Sequence, residues 1–264
     1  MDTQTLVAVF AHPDDEAFLC GGALALHAAA GTRVVLVCAT RGEAGEIAEP
    51  ALATPATLGT VRTRELEAAA AILGIATIYW LDYQDGTLAD AVPFPEGVAR
   101  VAEILAAERP AAVLTFGPEG VYGHSDHVMV HRWTKQAFAD ARAAGLLEGA
   151  RLYYCAPPRR WYRTISERCR ARGVPDRYGP RLAWIGVPDC LAELPLDVAS
   201  HAATRWRAIR AHRTQVPAQH PWLTLPEGDV LELLSTEWYT RYWPPRAPGE
   251  PPERRLLPTA PGAP

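Results

Sequence analysis

Short apolar runs at 6–11, 33–39, 76–81 and 111–116 alternate with alanine- and leucine-rich stretches at 18–30, 58–73 and 95–108. This alternation restricts the fold more than any other feature. A near-continuous apolar run without a polar face suits a strand buried on both sides of a parallel sheet. The intervening stretches have helix length and helix-forming composition, and Gly31 and Gly74 stand where C-caps are needed. Strand, helix and strand between residues 6 and 39 form a right-handed crossover unit. Its repetition predicts a Rossmann-like, doubly wound, mostly parallel α/β sheet with helices on both faces. No GxGxxG follows the first strand, which disfavours a dinucleotide-binding domain.

Further along, 126–143 reads as a helix and 151–156 as a strand ended by Pro157-Pro158. The arginine- and aromatic-rich stretch 159–177 reads as a flexible arm. A strand at 181–187, a helix at 198–213 and a partly extended segment at 229–242 follow. Trp222, Trp238 and Trp243 suggest a packed C-terminal layer. These elements make one domain over 1–243, with a Pro-rich, disordered tail over 244–264. The glycine-bearing connection after residue 39 is long, running past Pro50 and Pro55. A functional loop and a plain surface loop are equally open readings.

Composition removes several function classes. With 26 basic and 30 acidic residues, net charge −4, no nucleic-acid partner is expected. No apolar run reaches membrane-spanning length. The sequence Met1-Asp2-Thr3-Gln4 lacks the features of a signal peptide. Cys20, Cys38, Cys155, Cys169 and Cys190 are odd in number and widely spaced, so reduced thiols of a cytoplasmic protein are expected.

Chemistry concentrates at two points. After the first strand come Ala11-His12-Pro13-Asp14-Asp15-Glu16, and after the fourth come Gly123-His124-Ser125-Asp126-His127. Both stand at carboxyl ends of strands, where open α/β sheets bind ligands. His12 and Asp15, three apart across a turn, can converge on one metal ion, and Asp14 must then point elsewhere. Helix capping explains the first cluster as well, since acidic residues stabilise a first turn. Ser125 or Asp126 could likewise be an N-cap. His131, four residues after His127, reads as an unrelated surface residue rather than a ligand. His212 could project towards the site or cap a helix end.

Together the two motifs resemble the LmbE-like (PIG-L) family of zinc-dependent N-deacetylases. Thr40-Arg41-Gly42-Glu43, Arg62-Thr63-Arg64-Glu65 and Ala211-His212-Arg213-Thr214-Gln215 carry the resemblance further. One departure is Ser125, where the family commonly has proline; this affects local rigidity more than chemistry.

The resemblance implies metal ligands His12, Asp15 and His127 around Zn2+, with Fe2+ also suited to a His/His/Asp set. Asp14 is then the general base, and His124 stabilises the oxyanion and protonates the amine. Asp126 orients a histidine, His124 being favoured. Tyr122 polarises the carbonyl or simply packs the loop. Arg62 contacts substrate, and Asp85 touches the sugar or merely shapes its turn. The implied activity is removal of acetyl from an N-acetylglucosamine-type glycoconjugate, a thiol-cofactor precursor among the candidates. An amidase of thiol S-conjugates is the alternative within the same chemistry. A non-catalytic carbohydrate- or metal-binding protein is the alternative outside it. The partner is a small amino-sugar substrate; the number of subunits stays open, a homo-oligomer included.

Overall fold

The computed structural model describes residues 3–247, 249, 250, 253 and 255–257. Five parallel strands follow the predicted alternation: β1 (Thr5–Phe10), β2 (Arg33–Thr40), β3 (Thr77–Tyr83), β4 (Ala112–Phe116) and β5 (Arg151–Cys155). Two further strands, β6 (Leu194–Asp197) and β7 (Thr236–Trp243), complete a seven-stranded mixed sheet in the order β3-β2-β1-β4-β5-β7-β6. β7 pairs antiparallel to both β5 and β6. The central strands are buried along almost their whole length, as their unbroken apolar character requires.

Helices α1 (Asp15–Ala29), α2 (Leu58–Leu73), α3 (Phe94–Glu108) and α4 (Ser125–Ala143) connect the parallel strands. α2 ends on Gly74, whose φ of 75° is the left-handed conformation a glycine cap supplies. α3 and α4 meet at Gly97 and the fully buried Trp133. A Cβ on Gly97 would lie 2.2 Å from the indole, so only glycine permits this approach.

α1 is broken at Cys20 (φ −146°). The break leaves helix amides and carbonyls without partners, and a buried ion pair from the far end of the chain supplies them. Glu237 accepts from the N–H groups of Gly22 and Ala23 at 2.7 and 2.9 Å. Arg205 donates to the carbonyls of Ala17 and Phe18 and lies 3.2 Å from Glu237.

The C-terminal half departs from the sequence-based expectations. The expected flexible arm at 159–177 is, over most of its length, a helix, α5 (Arg159–Arg172). It buries Trp161, Ile165 and Cys169 at four-residue spacing. The apolar stretch 181–187 makes only the bridge Pro158–Val187 instead of a strand. The helix expected over 198–213 is α6 (Ala202–Ala211) behind a 3-10 turn. Part of the extended segment expected at 229–242 is α7 (Glu227–Leu233). Beyond residue 243, where proline content predicts disorder, the described residues dock on the domain. Glu253 accepts from Tyr153 and pairs with Arg151 and Arg241, and Leu256 is fully buried. The rest of that expectation, including residues 258–264, lies outside the described residues. Among the described residues no helix is long and apolar enough to cross a membrane, and Cys20, Cys38, Cys155, Cys169 and Cys190 are free thiols.

Candidate metal centre and active site

The chain leaves β1 outward through β2 and β3, then returns to the opposite side of β1 as β4. Such a reversal opens a crevice at the carboxyl ends of the two central strands. Both motifs fall there, one after β1 and one after β4.

His12 Nδ1 and His127 Nε2 face each other at 3.1 Å. Asp15 lies 3.6 Å from the first nitrogen and 3.4 Å from the second, and its other contact is the His12 amide, which donates to it at 2.8 Å. Ligands on a tetrahedral cation with bonds of about 2.0–2.1 Å stand about 3.3 Å apart, so this triad has the spacing of one coordination face. The remaining nitrogens are occupied. His12 Nε2 donates to Asp85 at 2.9 Å and has Asp126 at 3.3 Å. His127 Nδ1 donates to the Gly120 carbonyl at 3.2 Å. His127 therefore turns its Nε2 lone pair towards His12, and His12 Nδ1 is the nitrogen left for a proton or a cation. Without a cation a proton on His12 Nδ1 bridges the two nitrogens; a divalent cation that replaced it would meet two imidazole nitrogens beside a carboxylate.

The charges agree. Burial pulls the His12 pKa down, but Asp126, Asp85 and Asp15 outweigh it and raise it to about 10. The site thus demands positive charge between its carboxylates. Burial, then the neighbouring His12, lowers that of His127, which keeps its imidazole neutral.

Ring nitrogens of His12, His124 and His127 also come within 4.8 Å of one another, as do ligand atoms of His12, Asp85 and Asp126. The second grouping is better read as orienting hydrogen bonds. Asp126 already accepts from the amides of Gly86 at 2.7 Å and Leu88 at 3.1 Å. In the first, His124 is half-buried and its Nδ1 accepts from the Asp126 amide at 3.2 Å, capping α4.

Asp14 does not cap α1. Its φ of 124° is a conformation that non-glycine residues avoid, and it turns the carboxylate towards the cavity beside Asp15. Two contacts hold it, and a third steadies the second. The Arg62 guanidinium stands 3.3 Å from its carboxylate and also donates to the carbonyls of Pro13 and Gly42. The Asp14 amide donates to Glu16 at 3.0 Å. Glu16 in turn pairs with the fully buried His212 at 2.7 Å. Burial raises the Asp14 pKa to about 6, with Arg62 opposing and Asp15 adding to the shift.

Asp85, Asp126 and Arg62 have partners in this structure that the sequence does not announce, although Asp85 and Arg62 also line the polar cavity. Asp85, expected to touch the sugar, is buried against His12, because the Ala44 amide and the His12 ring claim its oxygens. Asp126 serves His12 with its carboxylate, not His124. Arg62, expected to contact substrate, is 3% exposed and bound to the backbone it steadies. His131, expected at the surface, is buried and bonds the Phe116 carbonyl at 2.9 Å. Tyr122 is 45% exposed at the mouth, its ring 5.4 Å from that of His127. It follows Val121, whose φ of 66° is rare for a β-branched residue. Sequence reasoning gave no role to Glu16, although it stands inside the first motif. The loop after β2 is ordered: Ala48 donates to the Thr214 carbonyl and Gln215 to the Glu46 carbonyl.

Two cavities meet at this triad. The polar one, about 230 Å³, is lined by His12, Asp14, Asp85, His124 and Gln215 among others. The second, about 250 Å³, adds Phe18, Trp161, Tyr162, Tyr178 and Trp222. A larger depression of about 540 Å³ between Arg41 and Glu67 lies on the outer face of α2 and has none of these groups in its walls.

The profile of the family described as PIG-L, GlcNAc-PI de-N-acetylase, matches residues 7–138. A 1D-myo-inositol 2-acetamido-2-deoxy-alpha-D-glucopyranoside deacetylase of Thermobispora bispora is 32% identical, with 91% of this chain and 88% of that protein covered. The N,N'-diacetylchitobiose deacetylase of Pyrococcus horikoshii shares the fold with a TM-score of 0.65 at 20% identity, covering 91% of this chain and 84% of that one. GalB, the 4-carboxy-2-hydroxymuconate hydratase of Pseudomonas putida, has the same fold with a TM-score of 0.66 at 21% identity, covering 93% and 99%. This fold therefore carries more than one chemistry.

Proposed function

The chain belongs to the PIG-L family, and on that premise we propose that it is a metal-dependent hydrolase removing acetyl from an N-acetylglucosamine-type glycoconjugate. The inositol glycoside named for its relatives, a thiol-cofactor precursor, is the first substrate to try. The observation that carries this reading is the pair of imidazole nitrogens 3.1 Å apart beside Asp15, with Asp14 alongside.

His12, Asp15 and His127 would hold the cation, zinc being the first choice and ferrous iron the second. When bound, it polarises the amide carbonyl and makes water more acidic. Asp14, ionised at neutral pH, takes the proton of the attacking water on its carboxylate. His124 accepts from the Asp126 amide on Nδ1, so its Nε2–H can donate to the developing oxyanion, and the proton that Asp14 took from water passes to the departing amine. Burial raises the Tyr122 pKa, so its hydroxyl stays protonated and can donate to the developing oxyanion. Sugar hydroxyls meet Gln215 and the backbone of Ala44, Gly45 and Gly86 in the polar cavity.

The test is acetate release from 1D-myo-inositol 2-acetamido-2-deoxy-α-D-glucopyranoside by zinc-loaded protein. Saturable release, abolished by a chelator and restored by zinc, is expected. No release from this or any other N-acetylglucosamine glycoside by protein carrying one metal per chain would overturn the reading.

A further inference from the structure

Asp14 is held in a backbone conformation that its residue type opposes. Its φ of 124° lies outside even the left-handed helical range of about 50–70°. Such a conformation persists only where the surroundings over-determine it. This angle turns the Pro13–Asp14 peptide plane against the Asp14 side chain, and the plane is gripped at both ends. Arg62 donates to the Pro13 carbonyl on one side. On the other, the Asp14 amide donates to Glu16 at 3.0 Å. The Asp14 carbonyl is fixed separately, accepting from the amides of Ala17 and Phe18 at 3.0 and 3.1 Å.

Glu16 can grip that amide only while its own carboxylate is kept in place. Its second oxygen accepts from Nε2 of His212 at 2.7 Å, from a residue 196 positions later in the chain, just past α6. The two side chains are 1% and 0% exposed, so bulk water has no access to take over from the imidazole.

Packing alone does not call for an imidazole at position 212. Its Nδ1 is buried and has no hydrogen-bond partner among the described residues, a cost that an apolar side chain of similar volume would avoid. The backbone around it is anchored without the ring. Thr214 donates from its amide and its hydroxyl to Glu65 at 2.8 and 2.6 Å. The amides of Gln215 and Val216 donate to the His212 carbonyl at 3.0 and 3.2 Å. What the ring adds is the hydrogen bond to Glu16.

We propose that His212 is a positioning residue for hydrolysis. Through Glu16 it fixes the Pro13–Asp14 peptide plane and so aims the Asp14 carboxylate at the attacking water, a role that rests on Asp14 being the general base.

The experiment measures acetate release from 1D-myo-inositol 2-acetamido-2-deoxy-α-D-glucopyranoside by zinc-loaded His212→Leu, His212→Gln, Asp14→Asn and the Asp14→Asn/His212→Leu double variant. Leucine fills the space without an N–H; the glutamine amide reaches about as far as Nε2 and keeps one. His212→Leu is expected to lower kcat roughly 10- to 100-fold, with KM and zinc affinity unchanged, and His212→Gln to restore most of the loss. Adding His212→Leu to Asp14→Asn is expected to lower the residual rate no further, because the group that His212 aims is already gone. Unchanged kcat in His212→Leu, with Asp14→Asn inactive, overturns the proposal and leaves Asp14 as the base. So does a loss in the double variant as large as in the single one, or a loss of zinc from His212→Leu, since either marks a general structural effect. If His212→Leu does not fold, His212→Asn, whose shorter amide stops short of Glu16, takes its place in the same comparisons. Full activity in Asp14→Asn overturns the base assignment and the role of His212 together.

Discussion

Asp85 lies 2.9 Å from Nε2 of His12, across the ring from the nitrogen that faces His127. It fixes the tautomer, and a turn residue thereby controls which atom of a β1-end histidine can reach a cation. Removing such a partner commonly weakens metal binding 10- to 100-fold. Asp85→Ala is expected to lower zinc affinity by about that factor, read by competition with a chelating indicator. Unchanged affinity would return Asp85 to a role in substrate contact.

Asp14→Asn is expected to keep one zinc per chain and lose about 10²- to 10⁴-fold in kcat. The general base works ionised, so kcat/KM of the parent protein should rise with pH and level off. The Asp14 pKa is raised to about 6 without a cation beside it, and a cation can only lower it. The midpoint of the acid limb should therefore fall no higher than about pH 6. A midpoint well above this, or full activity in Asp14→Asn, would assign the base elsewhere.

The Asp14 backbone (φ 124°) is strained for any side chain, at a cost on the order of 1–3 kcal/mol. Asp14→Gly removes both the strain and a partly buried carboxylate. It should raise Tm by a few degrees, at about 2–4 °C per kcal/mol for a chain of this size, while abolishing hydrolysis. Calorimetry of metal-free protein checks this, and a lowered Tm would mean that the Arg62 contact outweighs the strain.

His27 is buried and its Nε2 has no hydrogen-bond partner among the described residues. Burial, then the Arg255 charge, lowers its pKa to about 4, against about 6.5 in the unfolded chain. Between those values the unfolded chain takes up a proton that the folded chain refuses. Its contribution is constant above pH 6.5 and is lost as pH falls towards 4, by about 3 kcal/mol at most. His27→Leu should flatten the pH dependence of urea unfolding between pH 6.5 and 4. An unaltered slope would locate the acid sensitivity in other histidines, His220 first.

How far the sequence could be read follows from range. α2 was legible to the residue, because its alanine run ends on a glycine cap. The His12, Asp15 and His127 convergence was legible because both motifs end strands of one parallel sheet. α5 was not, since seven of its 14 residues are charged and hide the stripe of Trp161, Ile165 and Cys169. The 181–187 run carried strand-like composition but found only one bridge. β6 escaped notice because its pairing with β7 is set by tertiary contact. The partners of the site were out of reach for the same reason. Asp85 meets His12, and His212 meets Glu16, through packing that no local pattern encodes.

The repair of the α1 break also sets an order in time. Glu237 lies 215 residues beyond Gly22. At about 5–20 residues per second, a ribosome needs roughly 10–40 s to make that stretch. The motif that is synthesised first thus waits, with its helix unsupported, for β7, the last strand in chain order among the described residues, to be made. Cation capture in the cell should accordingly be a post-translational event, and a nascent chain stalled before residue 237 should hold zinc poorly despite carrying all three ligands.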